Sequence, residues 1–335
     1  MADRRLRTGV IGLGFIGGLH ARIHHEAPNI DLVAVADLNE DLGRPMAEKM
    51  GVAYHRSADE LLARADIEAV SVCVPDRMHV APACAAARAG KHMLLEKPLA
   101  HTAAAAEEIV RAVDDAGVRM MVAHVLHFDP RYAQMREAAA RGDFGEIINL
   151  RAKRNTMRAL PQRLGASSSI MYYLGVHDID MLQWCAGANI TRVYAQQVRK
   201  LGNEIEDAVY AVVNFANGAI GSIDYCWSWP EGLPSGYTVG FDVVGKKSAA
   251  HLDVYDQGLQ FIGADGVTQP DTHLWPEVNG QIVGALRDEI VHFADAILTG
   301  RPFVEPVERS LQAVRVLDAL FASLNSGAPA DVANA

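Results

Sequence analysis

A six-residue run near the start of the chain restricts the fold more than any other feature. Gly12-Leu13-Gly14-Phe15-Ile16-Gly17 has the spacing G-x-G-x-x-G. It follows the apolar stretch 6–14 and leads into a helical pattern, the setting in which this motif carries meaning. Gly12 allows a tight turn, Gly14 lets the backbone approach a pyrophosphate, and Gly17 lets helix and strand pack closely. Phe15 and Ile16 stand between them, where backbone N–H groups of the new helix face negative charge. Asp37 ends the next apolar run, twenty positions after Gly17. A carboxylate there accepts hydrogen bonds from ribose hydroxyls and repels a 2′-phosphate, so NAD is favoured over NADP.

The rest of the first 124 residues continues the same rhythm. Apolar runs at 31–37, 69–74, 92–96 and 118–124 read as buried strands separated by helices. Ser57 with Glu60 is a capping pattern, and Gly90 and Gly117 stand where helix ends need a positive φ. Alternation of this kind implies a doubly wound parallel sheet, the Rossmann arrangement. Near residue 125 the rhythm changes. Asp129-Pro130 caps a helix. Strands then dominate, at 145–154, 207–215, 219–229, 237–244, 249–255 and 258–262, with a helix at about 175–186. Asn217-Gly218 marks a hairpin. The second half therefore reads as an α+β domain, a mostly antiparallel sheet carrying a few helices. Helices at about 283–298 and 306–325 follow, and the polar tail after Gly327 is expected to fray. The expected domains are 1–124, 125–305 and a terminal helix at 306–326.

Composition narrows the function classes. Lys+Arg is 31 and Asp+Glu is 41, a formal net charge of −10, which argues against nucleic acid or an anionic membrane as partner. No apolar run approaches the roughly 20 residues that span a bilayer. The four cysteines are widely spaced and form no C-x-x-C, so free thiols and a cytoplasmic setting are expected. The glycines of 9–18 break any signal-peptide pattern. His20, His24 and His25 lack partners at ligand spacing and are expected to be surface or packing residues; no metal is expected.

With these motifs in place, the chain resembles the Gfo/Idh/MocA oxidoreductases. The residues that carry the resemblance are GVIGLGFIG (9–17), AVADLN (34–39), CVPDRMH (73–79), AGKHMLLEKPLA (89–100) and LGVHDIDMLQW (174–184). It implies a large open-faced sheet in the second domain, an active site in a cleft between the two domains and a final helix that packs back on the first. Lys97 resembles the family's catalytic lysine, able to hydrogen-bond the reacting oxygen. Glu96 belongs to the same motif and, with Lys97, to the cofactor site. Pro98 resembles a proline often preceded by a cis bond, which would aim Lys97 inward. Pro75, Asp76 and His79 resemble a loop along the cofactor, although His79 equally suits a packing role.

His177 resembles the family's catalytic histidine, a group suited to taking a hydroxyl proton. Asp180, three residues on, would orient the His177 ring or belong to a polar helix face. Members commonly carry Asp four residues before this histidine; here the residue is Tyr173. Tyr173 would hydrogen-bond the substrate, or act as a tyrosinate base, or mark a weakened site. Arg154 and Arg163 would bind substrate hydroxyls or an acid group, or form a basic loop. Tyr225, Trp227 and Trp229 alternate on one strand and are expected at a contact between subunits.

The resemblance implies an NAD-dependent dehydrogenase acting on a secondary hydroxyl of a sugar, sugar derivative or inositol-like polyol, assembled as a homodimer or homotetramer through the second sheet. Two alternatives remain at this level: non-redox glycoside cleavage with tightly held NAD, and a cofactor-binding sensor.

Overall fold

The apolar runs of the first half become parallel strands. A computed structural model describes residues 4–164, 168–264 and 266–333, the side chain of Arg163 apart. In chain order the elements begin β1 (Leu6–Ile11), α1 (Phe15–Glu26), β2 (Ile30–Ala36), α2 (Glu40–Met50), β3 (Ala53–His55) and α3 (Ala58–Leu62). They continue β4 (Ala69–Val72), α4 (Val80–Arg88), β5 (His92–Glu96), α5 (Ala103–Ala116) and β6 (Met120–Ala123). Next come α6 (Pro130–Ala140), β7 (Ile147–Met157), α7 (Ala159–Leu164), α8 (Val176–Ala186), β8 (Ile190–Val198), β9 (Ala208–Phe215) and β10 (Ile220–Trp229). The chain ends β11 (Tyr237–Gly245), β12 (Ala249–Val254), β13 (Phe261–Gly263), β14 (Gly266–Thr268), β15 (Glu277–Val278), β16 (Gln281–Ile282), α9 (Ala285–Thr299), α10 (Val307–Ser326) and β17 (Ala330–Asp331). Two compact units result. One comprises Met1–Phe128 with Leu274–Leu311, the other Asp129–His273 with Gln312–Ala335.

In the first unit, among the described residues, six parallel strands stand in the order β3-β2-β1-β4-β5-β6. The order reverses between β1 and β4, the switch point where open parallel sheets bind ligands at the carboxyl ends of their strands. The caps read from sequence are present. Ser57 Oγ accepts from Glu60 N–H at 3.2 Å, and Gly90 and Gly117 have φ of 69° and 64°. Sequence patterning did not mark β3, a three-residue edge strand too short to show a period. Apolar side chains of α9 (Leu286, Ile290 and Phe293) are buried in this unit.

Two histidines of α1, His20 and His24, pack inside the unit, while His25 is exposed. His24 Nδ1 lies 2.8 Å from Thr8 Oγ and its Nε2 lies 2.9 Å from Ser71 Oγ, joining α1 to β1 and β4. Burial, and secondly the charge of His20, hold the His24 pKa at about 3. The native ring is therefore neutral, whereas the unfolded chain takes up this proton below its ordinary value of about 6.5. The stability His24 contributes is whole above pH 6.5. It is lost as the pH falls toward 3, at up to about 1.4 kcal/mol per pH unit. Urea unfolding at pH 7 and pH 5 should show this loss, and His24→Gln should reduce the slope. An unchanged slope in that variant would contradict the assignment.

The second unit holds a seven-stranded sheet in the order β12-β11-β7-β10-β9-β8-β17, described residues only. It is antiparallel except where β10 runs parallel to β7. Gly218, with φ 86°, turns the β9–β10 hairpin as Asn217-Gly218 predicted.

Two expectations need correction here. The β10 aromatics do not form an exposed contact face: Tyr225 and Trp227 are fully buried and Trp229 is half-buried. Their side of the sheet is covered by the helix entry at Gly175, whose carbonyl accepts from Tyr225 Oη at 3.2 Å. Apolar residues of this sheet that do face solvent include Ile148, Tyr194, Val198, Tyr210, Val212 and Ile220. Nor is the tail after Gly327 frayed as far as it is described. Ala330–Asp331 pairs with β8 and Val332 is buried, because its one apolar side chain finds a seat beside Thr191. Among the described residues, no helix is long and apolar enough to cross a membrane.

Candidate active site

Each glycine of the turn after β1 has a different physical reason. Gly12 has φ +85°, and a Cβ there would stand 2.8 Å from the Cys73 carbonyl group. A Cβ on Gly17 would stand 1.9 Å from the Gly12 oxygen, so helix and strand could not approach. Gly14 differs from both. Its φ of −59° suits any residue, and no atom lies within 4 Å of where its Cβ would be. No protein atom fills the space beside Gly14, which leaves room for a ligand to lie against the backbone. Asp37 is fixed beside the turn. One carboxylate oxygen accepts from Leu13 N–H at 2.6 Å and the other from Asn39 N–H at 2.7 Å. Each oxygen keeps a lone pair for a ribose hydroxyl. Phe15 opens α1 and is exposed, and Ile16 packs on the core beneath. The cradle fits a dinucleotide.

The loops after β4 and β5 leave the same carboxyl edge. Pro75 caps a short turn at Asp76–Met78. His79 is buried, with Nδ1 2.8 Å from the Pro98 oxygen and Nε2 3.1 Å from the Val74 oxygen. Burial holds its pKa below the usual histidine value. The neutral ring therefore donates to one carbonyl at a time and ties the two loops together. The Lys97–Pro98 bond is cis. Glu96 is buried, with Oε1 3.2 Å from His20 Nε2 and Oε2 accepting from Lys97 N–H at 3.2 Å. Burial works against its charge, but the hydrogen bond from His20 and then the charges of His20 and Lys97 hold it below the usual carboxyl range. Glu289 on α9 goes the other way: burial, then the charge of Glu96, push it well above that range.

In the second unit a π-helical turn, Met171–Gly175, runs into α8. Such wide turns often mark functional sites. Tyr173 lies in this turn and His177 at the start of α8, both half-buried. The turn is anchored from below. Ser169 Oγ and Ile170 N–H donate to Glu206 at 2.5 and 2.7 Å, and the Trp227 indole N–H donates to the Glu206 carbonyl. Arg154 on β7 makes a two-pronged ion pair with Asp178, at 2.8 and 2.7 Å. Burial opposes the Arg154 charge, but Asp178 outweighs it and raises its pKa. Asp180 is fully buried rather than on a polar face. The Arg163 side chain lies outside the described residues.

Comparison with known proteins agrees with this geometry. Residues 6–124 match the model described as "Oxidoreductase family, NAD-binding Rossmann fold", and residues 132–251 match the GFO/IDH/MocA C-terminal domain. The chain belongs to the Gfo/Idh/MocA oxidoreductase family. It carries that family's NAD-binding Rossmann domain. It is 29% identical over 337 residues to an inositol 2-dehydrogenase of Rubrobacter xylanophilus, covering 98% of this chain and 94% of the relative. It is 24% identical to the 2,7-anhydro-N-acetylneuraminate hydratase of Escherichia coli, covering 84% and 79%. Among solved structures, GenD2 from gentamicin A biosynthesis in complex with NAD superposes with a TM-score of 0.85, at 25% identity, covering 99% of this chain and 97% of that one.

Within the Gfo/Idh/MocA frame the first unit gathers Gly12, Gly14, Phe15, Gly17, Asp37, Pro75, Glu96 and Lys97 along one sheet edge. The second gathers Tyr173 and His177 on one helix entry above the Arg154–Asp178 pair. Sequence reasoning missed Glu206 and Asp178, the groups that hold this entry. Their partners lie 37 and 24 positions away, and no local pattern links them.

Proposed function

We propose that the protein is an NAD-dependent dehydrogenase oxidising a secondary hydroxyl of an inositol-like polyol or sugar derivative. The observation that carries this reading is the position of Lys97. It follows β5 at the carboxyl edge of the parallel sheet whose β1 opens into the glycine turn. Two strand spacings separate β1 from β5, about 10 Å, within reach of a bound dinucleotide. Lys97 is the cation that hydrogen-bonds the reacting oxygen and stabilises the negative charge that develops there. Its backbone N–H is held by the Glu96 carboxylate. The imidazole of His177 takes the hydroxyl proton, and Tyr173 hydrogen-bonds a neighbouring substrate hydroxyl. Bound NAD supplies the acceptor for the hydride that leaves the same carbon.

The test is formation of reduced nicotinamide with a panel of inositols, aldoses and anhydrosugars, each with NAD and NADP. Lys97→Ala should lower kcat by about 10²–10³ and leave NAD affinity within a few fold. Tyr173→Phe should lower kcat only about five- to tenfold, the effect of one lost hydrogen bond. A loss of a thousandfold in that variant would make Tyr173 the base instead. A second reading has one specific support, the 24% identity to a 2,7-anhydro-N-acetylneuraminate hydratase. It is a reaction without net oxidation, and conversion of an anhydrosugar with no net reduced nicotinamide would establish it.

A further inference from the structure

A segment far along the chain is clamped onto the nucleotide-binding helix. The hairpin β15–β16 lies against α1, within the first unit. The Arg22 guanidinium donates to Glu277 at 2.6 Å and to the Gly280 carbonyl at 2.8 Å. Ile282 N–H donates to Glu26 at 2.9 Å, and Glu26 also pairs with Arg22 at 2.7 Å. At the other side Leu286 N–H donates to the Leu274 carbonyl at 2.9 Å. Trp275 is thereby held between two fixed points. Its ring stands edge-on to Phe15, centroids 6.0 Å apart and planes at 74°. Phe15 directly follows Gly14 and is 75% exposed. A large ring left in water beside a clamped indole gains little from the protein itself. Phe15 adjoins the turn at which Gly14 leaves open space, and Trp275 stands beside Phe15.

We propose that Trp275 is a cofactor-binding residue. With Phe15 it forms an aromatic wall beside the Gly12–Gly17 turn, against which the flat, apolar parts of a seated dinucleotide pack. Arg22 and Glu26 are positioning residues that hold the wall in place. The inference rests on the dinucleotide reading of the turn and adds a contact from outside the βαβ motif.

NADH is the probe. Its binding to the full chain is followed by nicotinamide fluorescence, and separately by emission excited through tryptophan. Trp275→Ala should weaken NADH binding about tenfold, which corresponds to about 1.4 kcal/mol. Trp275→Phe should weaken it by about two- to threefold, because a smaller aromatic ring remains. Emission of bound NADH excited through tryptophan should fall by about half or more in Trp275→Phe at saturation. The comparison is made at saturation, so weaker binding alone would not remove this signal. Arg22→Ala should weaken binding several-fold with no change in the glycine turn. If wild type binds NADH and Trp275→Ala binds it within twofold as tightly, the proposal is overturned and the dinucleotide reading stands. If Arg22→Ala binds as tightly as wild type, the clamp has no part in the site. If wild type does not bind NADH at all, the dinucleotide reading fails and this inference with it.

Discussion

Arg154→Met should destabilise the second unit by about 3–5 kcal/mol, the effect of leaving a buried carboxylate without its partner. Arg154 and Asp178 are both buried, and the two-pronged contact is the main compensation for taking either charge out of water. Removing both charges together is a different experiment. Arg154→Met combined with Asp178→Leu replaces the pair by apolar side chains and should recover most of the loss. Urea unfolding of wild type, the single variant and the double variant reads the difference directly. A single variant within about 1 kcal/mol of wild type would show that Asp178 finds another partner or takes up a proton. The pair fixes β7 to α8 one residue beyond His177, so the single variant should also lose turnover at temperatures where it remains folded.

The glycines of the nucleotide turn should separate folding from binding. Gly17→Ala forces an atom to within 1.9 Å of the Gly12 oxygen, so helix and strand must part. Overpacking of this severity costs about 3 kcal/mol or more, a fall in melting temperature of roughly 6–12 °C for a unit of this size. Gly14→Ala meets no protein atom and has an ordinary φ. It should melt within about 0.5 kcal/mol of wild type and yet bind NAD at least tenfold more weakly, because the methyl group occupies the ligand's approach. Equal loss of stability in both variants would show that Gly14 is needed for the fold and not for the cofactor. Calorimetric melting and NAD titration on the two chains decide it.

How far the sequence could be read depended on the range of the signals. Glycine spacing, Ser57 and Asn217-Gly218 act within a few residues, Asp37 is marked by its fixed spacing from the glycines, and each stands where the pattern placed it. The alternation of Tyr225, Trp227 and Trp229 is just as local, but alternation says only that they share a face. It cannot say which face a helix covers, and the helix entry at Gly175 covers this one. Arg154 is expected near substrate because its stretch resembles one that approaches substrate in the family; its ion partner Asp178, on α8, lies 24 positions away and no local pattern reveals it. Val332 could not be told from a frayed tail without β8 beside it. Trp275 carries no motif at all. Its place near the nucleotide turn depends on Arg22, 255 positions from Glu277.

The return of Leu274–Leu311 to the first unit has a consequence for biosynthesis. A ribosome completes Met1–Phe128 long before α9 exists, since the whole of Asp129–His273 must be translated in between. At about 5–20 residues per second, roughly ten to forty seconds pass before Leu311 is made. During that interval the nascent first sheet lacks the helix that supplies Leu286, Ile290 and Phe293 to its core. The seat for these side chains is then open to water, and to chaperones that bind apolar surface. The last part of the nucleotide-binding unit to be synthesised is also the part that brings Trp275 to Phe15.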